Sequence, residues 1–65
     1  MKKYVYHNAG DHFYESICII DDDGYIRKMF VNEDNKWFKY YVPPRCEYSS
    51  LYYEISEEQA FEILL

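Results

Sequence analysis

Glycine is nearly missing from this 65-residue chain, with Gly10 and Gly24 the only two. A glycine-rich loop of the kind that cradles phosphate cannot be built from them. Proline is as scarce, and both copies are adjacent, Pro43-Pro44. With an apolar fraction of 49%, that scarcity argues against a disordered chain. Cysteine stops at Cys18 and Cys46, without a C-x-x-C pair. A small secreted protein held by disulfides usually carries about four to eight. The first eight residues contain no apolar core of a signal peptide, and no stretch approaches the ~18 apolar residues of a membrane span. These absences lead us to expect a cytoplasmic protein with two free thiols and no membrane attachment. Residues 46–65 also lack any base, while holding Glu47, Glu54, Glu57, Glu58 and Glu62. The formal charge of −5 is therefore C-terminal, because acids and bases balance over residues 1–45. Such a field favours a basic partner and disfavours nucleic acid.

What the chain has in excess is tyrosine. Nine tyrosines, four phenylalanines and Trp37 make up 22% of the residues. A tyrosine ring is large and apolar with one polar tip, so it serves in a core or on a binding face. One short domain of residues 1–65 is expected, and cores of this size are marginal.

The hydrophobic pattern predicts a small α+β fold: an antiparallel β-meander of four to five strands with one C-terminal helix packed on the sheet. Residues 3–7 alternate as a first strand, and Asn8, Ala9, Gly10 and Asp11 form a turn cluster. Residues 13–20 are a second strand, apolar in their C-terminal half. Asp23-Gly24 signals a tight hairpin. Residues 25–31 and 36–42 are strands joined by a turn over residues 32–35, and Pro43-Pro44 stops the fourth. Residues 45–50 connect to a short fifth strand at 51–55. Ser56 and Gln59 form a capping box ahead of a helix whose apolar stripe is Ala60, Phe61, Leu64 and Leu65. Docking through Phe61 and Leu64 is expected.

A turn over residues 32–35 sets Phe30 opposite Trp37, Lys28 opposite Lys39, and Ile26 opposite Tyr41, all on one face. The other face takes Met29, Phe38, Arg27, Tyr40, Tyr25 and Val42. Both faces are then apolar, and one short helix covers one of them. The other needs the connection around residues 43–50, a second copy of the chain, or a different protein. We expect an interface there, a homodimer among the options. Lys28 against Lys39 is a like-charge conflict that Glu15 is placed to relieve.

Chemical motifs are few. His7 and His12, with Asp11 and Glu15 nearby, resemble a metal cluster in composition, yet His-x4-His straddles a turn and no HExxH accompanies it. Asp21-Asp22-Asp23-Gly24 lacks the spacing of a calcium loop and reads as a hairpin. Cys46 with a histidine has no orienting third group. The reading is a non-enzymatic protein without cofactor or metal.

Short, acidic, aromatic-rich chains without catalytic motifs resemble the small proteins with which phages and other mobile elements block host machinery. That resemblance implies an inhibitor docking on a cationic surface, such as a host defence or nucleic-acid-processing protein. Trp37, Tyr48, Tyr52 and Tyr53 are the anchor candidates, and Glu54, Glu57, Glu58 and Glu62 the steering charges. For Tyr52-Tyr53 the plainer reading is one ring in the core and one exposed. The alternative class is a single-strand nucleic-acid binder using Arg27, Lys28, Lys36 and Lys39 beside Trp37. A homodimeric structural protein is the third.

Overall fold

The computed structural model describes residues 2–8 and 15–65. The expected turn at residues 8–11, His12 and the start of the second strand fall largely outside them. Five strands and a helix follow in chain order: β1 (Lys3–Asn8), β2 (Glu15–Ile20), β3 (Ile26–Glu33), β4 (Lys36–Tyr40), β5 (Tyr53–Ile55) and α1 (Glu57–Leu64). They form one antiparallel sheet in the order β4-β3-β2-β1-β5. The expected α+β meander with a C-terminal helix is what the chain builds.

Both hairpin turns differ from the expected ones. Between β2 and β3 the bonds Gly24 N–H to Asp21 O (2.9 Å) and Asp21 N–H to Tyr25 O (3.0 Å) enclose a three-residue loop. Only Gly24 there has positive φ, at 87°. This is a type I turn closed by a left-handed glycine, not a two-residue Asp-Gly turn. Between β3 and β4 the loop is two residues, Asp34 and Asn35, with φ of 54° and 64°. Two consecutive positive φ values mark the mirror-image turn that matches strand twist.

That shorter turn moves the β3–β4 register by two residues. Asn32 opposes Trp37 and Phe30 opposes Lys39. Lys39 thus faces Phe30 and not Lys28, so the expected Lys28–Lys39 repulsion does not arise. Glu15 has other duties, accepting from the Tyr6 hydroxyl at 2.6 Å and from Asn32 Nδ2 at 2.9 Å. A bulge adds a second correction. Ile19 pairs with Lys28 but Ile20 pairs with Ile26, leaving Arg27 as the extra residue. The bulge turns Ile26 to the opposite face from Phe30.

Each face has its own apolar cluster. On the helix face, Tyr4, Tyr6, Ile17 and Ala60 are buried, with Ile19, Trp37, Ile55, Ile63 and Leu64 packed around them. Ala60, the smallest of the helix's apolar residues, lies against the sheet. Phe61 therefore stands half exposed beside Tyr4, ring centroids 6.1 Å apart, instead of leading the docking. Leu65 caps the helix and is fully exposed. Ser56 and Gln59 make the reciprocal capping-box bonds at 3.0 and 2.9 Å.

On the other face, Val5, Cys18, Ile20 and Ile26 are buried beneath Val42, Cys46, Tyr48 and Tyr52. Residues 41–52 cross this face from one edge of the sheet to the other, and the Ile26 amide bonds to the Cys46 carbonyl at 2.8 Å. The centre of the sheet is thus covered on both sides by its own chain. The expected bare second face shrinks to the outer strand, where Phe38 is 46%, Tyr40 43% and neighbouring Tyr41 83% exposed.

Candidate functional site

The acidic residues do gather. Glu57, Glu58 and Glu62 stand exposed on α1, and Glu54 on the adjoining β5. Tyr53 is 58% exposed and lies edge-on to Tyr6 at 5.5 Å. Tyr4 and Tyr6 sit two apart on β1, so Tyr53, Tyr6, Tyr4 and Phe61 form a row of aromatic rings along this edge. Phe61 and Leu65 are one helical turn apart and both exposed. They form a second apolar stripe beside the one that Ala60, Ile63 and Leu64 bury. Carboxylates border that stripe, because Glu58 and Glu62 are its helical neighbours. Glu57 is partly committed, its Oε2 accepting from the Tyr4 hydroxyl at 2.9 Å. That bond, with burial, raises the Tyr4 hydroxyl above its ordinary pKa.

Register places Glu54 on the opposite face of the same edge, beside Val5 rather than Tyr6. Lys2 and Lys3 share a shallow hollow of about 370 Å³ with Tyr4, Glu54 and Glu57. The edge is mixed in sign near β1 and purely acidic further along α1.

The other expected anchors are elsewhere and serve the core. Trp37 is on the far edge strand, partly buried against the helix-face cluster. Tyr48 and Tyr52 clamp the crossing connection to the sheet, with rings 6.4 Å apart. The Tyr52 hydroxyl lies 2.9 Å from Ser16 Oγ, and its ring 5.2 Å from His7. Phe61 and Leu65 were the exposed apolar groups that sequence spacing assigned to the core. The clue was a helix with more apolar positions than one docking stripe can hold.

The four cations proposed for nucleic acid are split. Lys28 and Lys39 share the helix face with Phe30 and Trp37, while Lys36 is on the other face. Arg27 reaches from the bulge to Asp21 Oδ2 at 3.1 Å. Both cysteines are free. Cys18 is fully buried, and burial pushes its thiol up to about 11. Among the described residues, no group of three or more His, Cys, Asp or Glu side chains is placed to hold a metal ion. His12 and Asp11 lie outside that description. Also among the described residues, no helix is long and apolar enough to cross a membrane.

Comparison with known proteins returns no matching family model, curated protein or solved structure.

Proposed function

We propose that this chain is a non-enzymatic protein-binding module whose β5–α1 edge docks on a basic patch of a larger protein. The observation that carries the reading is the second apolar stripe, Phe61 and Leu65, left exposed on a helix already docked by another stripe. Exposed aromatic and aliphatic groups rimmed by charge are the usual composition of a binding hot spot. Glu58 and Glu62 steer a cationic partner and add little affinity by themselves. Tyr53, with Glu54 and Glu57, extends the contact toward β5. A cationic surface of this kind belongs typically to proteins that handle nucleic acid, so inhibition of such a protein by occlusion is the role that fits.

Affinity capture from bacterial lysate tests this with three immobilised proteins: wild type, Leu65→Ser, and Glu58→Gln/Glu62→Gln. All substituted positions are exposed, so each variant should keep the wild-type circular dichroism spectrum. Expected is one nuclease-resistant partner, weakened by Leu65→Ser and made less salt-sensitive by the double glutamine variant. Equal capture by all three proteins would refute the surface.

A second reading rests on Lys28 and Lys39 flanking Phe30 and Trp37 on one face. Bases interleaved with rings hold single strands by stacking. Quenching of Trp37 fluorescence by a labelled oligonucleotide at low salt would favour it over the first.

A further inference from the structure

We infer that β4 is the seat of a symmetric dimer, in which two copies pair antiparallel along this strand to make a continuous ten-stranded sheet. The sheet order leaves β4 as an edge with β3 on one side only. Its backbone is partly committed. The pair flanking a two-residue turn, Glu33 and Lys36, exchanges both hydrogen bonds, and alternation follows from there. Lys36, Phe38 and Tyr40 therefore point their amides and carbonyls at β3. Trp37 and Lys39 point theirs outward, away from β3, with no partner strand among the described residues.

The strand is complementary to itself. Written antiparallel about Phe38, Lys36-Trp37-Phe38-Lys39-Tyr40 sets Lys36 against Tyr40 of the second copy, Trp37 against Lys39, and Phe38 against Phe38. The outward-facing residues, Trp37 and Lys39, become the hydrogen-bonded pairs. Every lysine meets a ring and none meets another lysine. Lys39 would lie between Phe30 of its own sheet and Trp37 of the other copy, a cation held by aromatic faces. Sliding the register so that Lys39 opposes Lys39 is repulsive. Sliding it the other way loses Tyr40 from the ladder. Only the register centred on Phe38 uses all five residues.

Apolar burial points the same way. Phe38 and Tyr40 are nearly half exposed and line an open hollow of about 530 Å³ with Glu33, Lys39 and Tyr41. Across the two-fold axis, Val31-Phe38 of one copy continues into Phe38-Val31 of the other. Charge permits it, because the acidic β5–α1 edge lies at the opposite side of the sheet. Edge lysines ordinarily discourage pairing, but here the alternation sets each over an aromatic. A five-residue edge buries less than the ~1,200 Å² of a standard interface, so the dimer is weak and concentration-dependent. It leaves both acidic edges free, which would present two docking surfaces to a partner.

Sedimentation velocity over a hundredfold concentration range is the first measurement, with Lys39→Pro and Lys39→Ala as variants. Proline at position 39 removes an outward amide without touching the β3 ladder, so it should give a folded monomer by circular dichroism. Lys39→Ala keeps that amide and should dimerise more weakly than wild type. A wild-type monomer at millimolar concentration, or a Lys39→Pro dimer as tight as wild type, would overturn the inference. Should Lys39→Pro unfold, oxidative cross-linking decides. In a Cys46→Ser background, Phe38→Cys places two thiols on the axis in a close, non-hydrogen-bonded pair, within disulfide reach. Expected is a covalent dimer from Phe38→Cys and none from Lys36→Cys. The opposite pattern, or equal yields, rejects this register.

Discussion

The hydroxyl of Tyr4 donates to Glu57 Oε2 at 2.9 Å, tying the first strand to the first turn of the helix across 53 positions of sequence. Among the described residues the helix otherwise packs on the sheet through Ala60, Ile63 and Leu64. Tyr4→Phe keeps the ring against Phe61 and frees the Glu57 carboxylate to water. The expected cost is about 0.5–1.5 kcal/mol, that of one intramolecular hydrogen bond. Tyr4→Ala also removes a buried ring, and about 3–5 kcal/mol should go with it. Urea titrations followed by circular dichroism read both. Equal losses for the two variants would mean that the hydroxyl, not the ring, holds the helix.

Alkaline pH should loosen the fold in two stages. Burial raises the Cys18 thiol from 9.0 to about 11. Bonding to Glu57 and burial raise Tyr4, while burial first raises Tyr6 and Tyr52. Each group is thus held neutral by the folded state. The stability it contributes is complete below its unfolded pKa and is lost as pH climbs through the folded value. Stability should hold up to about pH 9, then fall as Cys18 ceases to match its unfolded state, by ~2–3 kcal/mol for two pKa units. The tyrosines join above pH 10. Cys18→Ala should delay the onset to about pH 10, from a lower starting stability. A wild-type midpoint in urea that stays constant from pH 8 to 11 would contradict this account.

Much of the fold was legible because period and capping agree with it. The β1 alternation, the apolar run of β2 and the Ser56–Gln59 box each has a local cause, and each element formed there, whereas β4 ends at Tyr40, two residues short of the expected stop at Pro43-Pro44. The failures are of a different kind. Whether Asp34-Asn35 closes a two-residue or a four-residue turn depends on left-handed backbone at both positions, which either residue tolerates without demanding. The Arg27 bulge has no signature in Ile26-Arg27-Lys28, and it alone decides which core receives Ile26. Pro43-Pro44 forbids a strand but does not show where the chain goes next. Its path across the sheet turned the expected anchors Tyr48 and Tyr52 into packing groups. The acidic edge was readable in charge alone, whereas Phe61 and Leu65 became visible only once Ala60 was seen to touch the sheet.

Ser16 is the one polar residue buried among the described residues, and its hydroxyl has Tyr52 as partner at 2.9 Å. Tyr52→Phe strands the Ser16 hydroxyl under the crossing connection and should cost about 1–3 kcal/mol, the penalty of an unsatisfied buried group. Ser16→Ala leaves the half-buried Tyr52 hydroxyl beside the Cys18 thiol and should cost less, about 0.5–1.5 kcal/mol. The double variant leaves nothing stranded. It should cost less than the sum of the two, with a coupling of about 1 kcal/mol or more in a double-mutant cycle. Strict additivity would show that water replaces the missing partner.

The β3–β4 turn decides more than a loop, because among the described residues β3 is the one strand beside β4. Positive φ at Asn35 costs a side-chain-bearing residue energy that glycine avoids. Asn35→Gly should therefore stabilise by up to ~1 kcal/mol, while Asn35→Val, branched at Cβ, should lose about 1–2 kcal/mol. A valine here also favours sliding toward the four-residue turn, which would set Trp37 against Phe30 and Lys28 against Lys39. Contacts between α-protons report the register directly, since these protons approach closely in non-hydrogen-bonded pairs. Wild type and Asn35→Gly should give cross-peaks between Asn32 and Trp37 and between Phe30 and Lys39. A Phe30–Trp37 cross-peak in either protein would mean that β4 has slipped by two residues, and would set Lys39 against Lys28 in place of Phe30.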